Sequence, residues 1–124
     1  MVQTNPKTVL VIEDDLELLD LVAFVLEDEG YRVEKASDGL EGLRAVERKM
    51  PDLIILDMKM PVMNGWQFAS EFKARYDGRA PIVVLTAGAN ARRNAEEIGA
   101  QGWIGKPFEL DELVATVRRF TKGP

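Results

Sequence analysis

The side chains in this sequence that could do chemistry stand at the ends of apolar runs. They are the acidic triplet Glu13-Asp14-Asp15, then Asp57, Thr86 and Lys106. An ionised aspartate is a nucleophile that needs no base to activate it. Carboxylates packed together repel and hold protons more tightly, and a divalent cation relieves that repulsion. A ligand set made only of oxygen suits Mg²⁺, with Mn²⁺ able to substitute. Asp14 and Asp57 would bind such an ion directly and Glu13 through water. A hydroxyl at Thr86 and an ammonium at Lys106 would then help to neutralise the oxygens of a metaphosphate-like transition state. Together these groups are the parts for phosphoryl transfer to the Asp57 carboxylate.

Each residue also has an ordinary structural reading. Asp57 could start a turn. Asp14-x-x-Glu17 matches a capping box, and Asp15 could cap a helix instead. Thr86 is β-branched and suits a strand, and Lys106 could be a solvated turn lysine. What favours chemistry is that the chain brings all of them to one rim.

The elements that would do this alternate. Apolar runs at Thr8–Ile12, Asp52–Leu56 and Pro81–Leu85 are short and rich in branched residues, as strands covered on both faces are. Tyr31–Lys35 and Gly102–Gly105 are weaker strands. Leu18, Val22, Val25 and Leu26 share a helical face, with Gly30 ending that helix. Leu40, Leu43 and Val46 mark a second helix. Phe68 and Phe72 mark a third, after Asn64-Gly65. Residues 91–98 form a short polar fourth helix ended by Gly99, and Leu110, Leu113, Val114, Val117 and Phe120 define the fifth. Five strands alternating with five helices predict an α/β fold, a doubly wound parallel sheet of flavodoxin-like order 2-1-3-4-5. Ligands in such sheets bind beyond the carboxyl ends of the strands, where the reactive residues fall.

Composition narrows the chemistry further. The 124 residues contain no cysteine and no histidine, which excludes disulfides, thiolate or imidazole metal sites and any Ser-His-Asp triad. The formal net charge of −5 argues against direct nucleic-acid binding or attachment to an anionic membrane. No apolar run reaches the length of a membrane span, and residues 1–7 lack the apolar core of a signal peptide. The expectation is a single cytoplasmic domain over residues 1–124, with 1–7 as a short tail and no appended output domain.

Four segments in order carry a family resemblance: Val9-Leu10-Val11-Ile12-Glu13-Asp14-Asp15, Asp57-Met58-Lys59-Met60-Pro61-Val62-Met63-Asn64-Gly65-Trp66, Thr86-Ala87, and Gly102-Trp103-Ile104-Gly105-Lys106-Pro107-Phe108. With these the chain resembles the receiver (response regulator) domains of two-component signalling, of the stand-alone CheY-like kind. The resemblance implies that Asp57 is the phosphoacceptor and that Asp14 is a direct Mg²⁺ ligand, with Glu13 acting through water. It implies that Lys59 offers its backbone carbonyl to the metal, and that Thr86 and Lys106 hold phosphoryl oxygens. The Lys106–Pro107 peptide is expected to be cis. Trp103 occupies an aromatic switch position that is usually Tyr or Phe. The implied function is a protein-interaction surface switched by phosphorylation, not turnover of outside substrates. The donor would be a sensor histidine kinase or histidine phosphotransfer protein, the target a downstream protein of unknown identity, and the chain a monomer or weak homodimer.

The sequence departs from that pattern in the 20 residues from Thr86 to Lys106, about two fewer than the family suggests. The loss should fall in the fourth helix or the loop entering it. Lys59 and Gly88, each two residues beyond a site residue, stand where the family tunes water access. Two other readings compete. An aspartyl-phosphate phosphohydrolase of the haloacid dehalogenase kind needs an acid where Lys59 stands. A flavin carrier needs a Ser/Thr/Gly-rich phosphate loop where the acidic triplet stands. Arg92, Arg93, Arg118 and Arg119 could form a basic patch near the last helices.

Overall fold

The computed structural model describes residues 5–124. Strands and helices alternate as β1 Thr8–Ile12, α1 Leu16–Asp28, β2 Arg32–Ala36, α2 Gly39–Arg48, β3 Leu53–Leu56, α3 Gly65–Tyr76, β4 Ile82–Ala87, α4 Gly88–Ile98, β5 Gly102–Lys106 and α5 Leu110–Thr121. Every strand pairing is parallel and the order is β2-β1-β3-β4-β5, as the alternation of apolar runs and amphipathic segments requires. Of the expected tail, residues 1–4 lie outside the described residues.

The apolar runs are continuous because both faces of the central strands are covered. Leu10, Ile12, Ile54, Leu56, Ile82 and Val84 point to one side, against Leu43 and Val46 of α2, Phe68 and Phe72 of α3, and Ala95 of α4. Val9, Val11, Leu53, Ile55, Val83 and Leu85 point to the other, against Leu19, Val22 and Leu26 of α1 and Leu113 and Val117 of α5. Cutting one of these buried side chains back to alanine typically costs about 2–5 kcal/mol. Two stacked cores thus clamp the sheet, leaving its carboxyl-end rim free to carry polar groups.

Several boundaries differ from the sequence expectation. The buried face of α1 is Leu19, Val22, Ala23 and Leu26. Leu18 and Val25 are only partly buried at its margin. Gly30 follows the last turn of α1 with a φ of 102°, a left-handed conformation that glycine adopts without penalty. β3 begins at Leu53, and Asp52 just before it is tied to β1 twice: its N–H donates to the Thr8 carbonyl at 2.8 Å and its carboxylate accepts from the Thr8 N–H at 2.8 Å. β2 and β5 each run one residue further, to Ala36 and Lys106, and β4 runs two further, to Ala87. The fourth helix differs most. It starts at Gly88, directly after β4, not at residue 91. The shortening therefore comes out of the entry loop, and the helix keeps 11 residues.

Candidate functional site

The sheet has its switch point at β1, which pairs with β2 on one side and β3 on the other. Register aligns Ile12 with Leu56, so Glu13 and Asp57 leave their strands side by side. The Asp57 N–H donates to the Ile12 carbonyl at 2.9 Å, extending the ladder to the reactive residue itself. Across β4 and β5, Thr86 pairs with Gly105 and Ala87 with Lys106. Asp14, Asp57, Thr86 and Lys106 thus come to one rim, as their positions after apolar strands predicted.

The acids divide their tasks. Asp15, not Asp14, caps α1: its Oδ1 accepts from the Leu18 N–H at 3.2 Å. Asp14 is thereby left exposed and outside the capping pattern. Glu13 is only 1% exposed. Its Oε2 accepts from the Asp15 N–H at 3.1 Å. Its Oε1 lies 2.7 Å from the Lys106 ammonium, the charge that compensates it. Carboxylate oxygens of Glu13, Asp14 and Asp57 all lie within 4.8 Å of one another. Three carboxylates this close, faced by one ammonium, form an all-oxygen set with excess negative charge, which has the chemistry to hold a hard divalent cation.

Asp57 is buried at the end of β3. The Met58 N–H donates to its Oδ1 at 2.8 Å, and Lys106 Nζ stands 3.7 Å away. Burial, and then the Glu13 charge, push its carboxyl up to about 7, against the pull of Lys106. Burial works against the Lys106 ammonium too. The adjacent Glu13 and the charges of Asp57 and Asp14 outweigh that and hold its pKa above the usual lysine value.

Behind Asp57, α3 begins almost in contact with the strand end. A Cβ on Gly65 would lie 2.7 Å from the Asp57 carbonyl oxygen and 2.6 Å from Met58 Sδ, so only glycine lets the helix start there. Asn64 and Gln67 complete a capping box around it. Thr86 is buried, the side chain of Lys59 is exposed, and the Lys106–Pro107 peptide is cis, as expected.

Trp103 projects from β5 with 48% of its surface exposed, and the Arg92 guanidinium of α4 lies 5.9 Å from its ring centre. The arginines of the expected basic patch are engaged by neighbouring groups. Arg92 pairs with Glu96 and Arg118 with Glu29, while Arg119 lies over the Phe120 ring. Sequence reading missed the Met58 N–H, a backbone group with no side-chain signature. It also missed Glu97, whose Oε1 accepts from both Trp66 Nε1 at 3.0 Å and Asn94 Nδ2 at 3.1 Å. That bond ties α4 to α3 and needs the fold to be seen.

A family model described as the response regulator receiver domain matches residues 9–118. The DNA-binding response regulator MtrA of Mycobacterium tuberculosis is 38% identical over 117 residues, covering 93% of this chain and 50% of that protein. The transcriptional regulatory protein PrrA of the same organism is also 38% identical, over 93% of this chain and 49% of its own. The chain thus spans about half the length of these curated relatives. Among solved structures, the chemotaxis protein CheY4 of Vibrio cholerae superposes with a TM-score of 0.84 at 32% identity, covering 94% of this chain and 99% of that one. The receiver domain of NtrX from Brucella abortus gives 0.84 at 30% identity, covering 92% and 98%. Among the described residues no helix is long and apolar enough to cross a membrane.

Proposed function

The chain belongs to the response regulator receiver domains of two-component systems, and on that footing we propose that Asp57 accepts a phosphoryl group from a phosphohistidine on a partner protein. The partner would be a sensor histidine kinase or a histidine phosphotransfer protein, since this chain has no histidine of its own. An Asp57 carboxylate oxygen attacks phosphorus in line, and the bond from phosphorus to the donor nitrogen breaks. The electron pair leaves with the imidazole, and an acyl phosphate forms on Asp57.

The observation that carries this reading is the convergence at one rim of Asp57 with Glu13 and Lys106 in direct range. Asp14 and Asp57, the Lys59 carbonyl and, through water, Glu13 would hold Mg²⁺, with Mn²⁺ able to replace it. When bound, the cation would neutralise charge that builds on the phosphoryl oxygens. Lys106 draws a second oxygen of the group toward itself and the Thr86 hydroxyl donates to a third. The Met58 N–H orients the Asp57 carboxylate for attack. The domain would act on itself as acceptor and on its own acyl phosphate, and not turn over external substrates. Its output would be a changed protein-binding surface around Trp103, read by a downstream protein.

Incubation with acetyl phosphate and Mg²⁺, followed by intact mass, tests the assignment. The expected result is one added phosphoryl group on wild type, stable in acid and labile in base, and none on Asp57→Asn. Equal labelling of the two proteins would reject Asp57 as the acceptor.

A further inference from the structure

The absence of a loop between β4 and α4 brings two backbone segments into close contact beside the acceptor rim. α4 starts at Gly88, one residue after β4 ends at Ala87, and no side chain caps it. The parallel ladder between β4 and β5 runs on to Thr86 opposite Gly105 and Ala87 opposite Lys106. The chain must therefore turn from strand to helix directly above β5, and Gly88 passes over Gly105. A Cβ built on Gly105 would lie 2.5 Å from the Gly88 Cα and 3.4 Å from its nitrogen. Both are backbone atoms, which cannot rotate away as a side chain can. The reverse substitution is benign, since a Cβ on Gly88 meets nothing nearer than the Lys106 carbonyl at 3.5 Å. The restriction thus lies at Gly105, whose φ is not positive. It is a matter of space and not of backbone conformation.

Gly105 immediately precedes Lys106, and Gly88 stands two residues after Thr86. We propose that Gly105 is a positioning residue for phosphoryl transfer: its missing side chain lets β4 and its continuation into α4 close onto β5, which sets the spacing between the Thr86 hydroxyl and the Lys106 ammonium. The proposal rests on Asp57 as acceptor. Alanine at 105 must drive Gly88 away by about an ångström to reach ordinary van der Waals separation. No loop lies between Gly88 and Thr86 to absorb the shift. A misplacement of about 1 Å in a transfer site can slow the reaction by about 100-fold.

The test is the rate of acetyl phosphate labelling with saturating Mg²⁺, read by intact mass well below each variant's melting temperature. Gly105→Ala is expected to label about 10- to 100-fold more slowly than wild type. Thr86→Ala should slow wild type but add little to Gly105→Ala, because the hydroxyl is already displaced; independent effects would multiply. Inserting Ser-Gly between Ala87 and Gly88 in the Gly105→Ala protein gives the chain a loop that can absorb the shift, and should restore labelling. If Gly105→Ala alone does not fold, the inserted version is expected to fold and label. Wild-type labelling by folded Gly105→Ala, multiplying losses with Thr86→Ala, or no recovery on insertion would each overturn the proposal. Labelling of Asp57→Asn at the wild-type rate would instead remove the acceptor assignment beneath it, so the two failures are separable.

Discussion

Lys106 Nζ stands 2.7 Å from Glu13 Oε1 but 3.7 Å from Asp57 Oδ1. The ammonium is therefore committed first to a buried glutamate and only second to the acceptor. Glu13 is 1% exposed and faces two other carboxylates, so Lys106 is the cation that keeps it tolerable in the fold. A phosphoryl group arriving on Asp57 would compete with Glu13 for that ammonium.

Replacing Lys106 by methionine should accordingly lower stability at pH 7 without divalent metal. Methionine keeps most of the apolar stem and removes the charge, leaving Glu13 buried and uncompensated. Breaking a buried pair costs about 3–5 kcal/mol, and the partly exposed lysine end reduces this to about 1–3 kcal/mol. Urea unfolding of Lys106→Met beside wild type measures it. An unchanged or higher midpoint would show that Glu13 does not depend on Lys106.

Asp57 should make the metal-free protein less stable as pH rises. The group titrates near 3.8 in the unfolded chain and near 7 when folded. Between those values the folded state holds more protons, so stability falls with rising pH across the window. The penalty is absent below 3.8 and complete above about 7. Asparagine cannot ionise. Asp57→Asn should therefore match wild type near pH 4 and exceed it at pH 8 by about 1–3 kcal/mol, allowing for solvent screening at the rim. Urea midpoints of both proteins from pH 4 to 9 give the curve. A difference that does not grow between pH 5 and 7 would refute the raised carboxyl.

The same proton sets the response to metal. A cation bound through Asp57 must displace it. Apparent Mg²⁺ affinity should fall about tenfold per pH unit below 7 and level off above. Thermal melts with and without Mg²⁺ read this out, because a ligand that binds only the folded state raises its stability. Asp14→Asn should lose most of the rise, while the metal-free melt holds or rises slightly, since a repelling carboxylate leaves the cluster and Asp15 still caps α1. An equal rise in Asp14→Asn would place the ion elsewhere.

Sequence reading served best where one physical cause acts along the chain. The branched apolar runs of β1, β3 and β4 are legible because burial on both faces leaves no alternation. Phe68 and Phe72, spaced as one helical face after Asn64-Gly65, mark α3, and the Asn64–Gln67 capping box that starts it emerges only in the structure. The convergence of Asp14, Asp57, Thr86 and Lys106 followed from strand order alone. What stayed hidden depends on contacts across the fold. Whether Asp14 or Asp15 caps α1 is decided by local geometry that both spacings permit. The choice of Glu13 by Lys106 is set by strand register, and the loss of the entry loop shows in sequence only as a short interval. Arg92 beside Trp103 is another case, since they stand 11 positions apart and only the packing of α4 on β5 brings them together.

That pair makes the final prediction. Arg92 holds a cation 5.9 Å from the Trp103 ring centre, while its Nε lies 3.0 Å from Glu96. An exposed contact of this kind is worth about 0.5–1 kcal/mol, too little to matter for folding but enough to shift a two-position equilibrium about two- to fivefold. The cation favours the outward indole seen here, so inward rotation of Trp103 would have to give it up. Arg92→Ala should uncover one ring face and raise acrylamide quenching of Trp103, read in a Trp66→Phe background because the chain has 2 tryptophans. Glu96→Gln keeps the cation and should change quenching less. On adding acetyl phosphate and Mg²⁺, quenching should fall as the indole turns in, and fall further in Arg92→Ala than with arginine present. Quenching insensitive to both the substitution and the phosphoryl donor would mean that Trp103 is a fixed surface residue, and that any signal leaves the domain by another face.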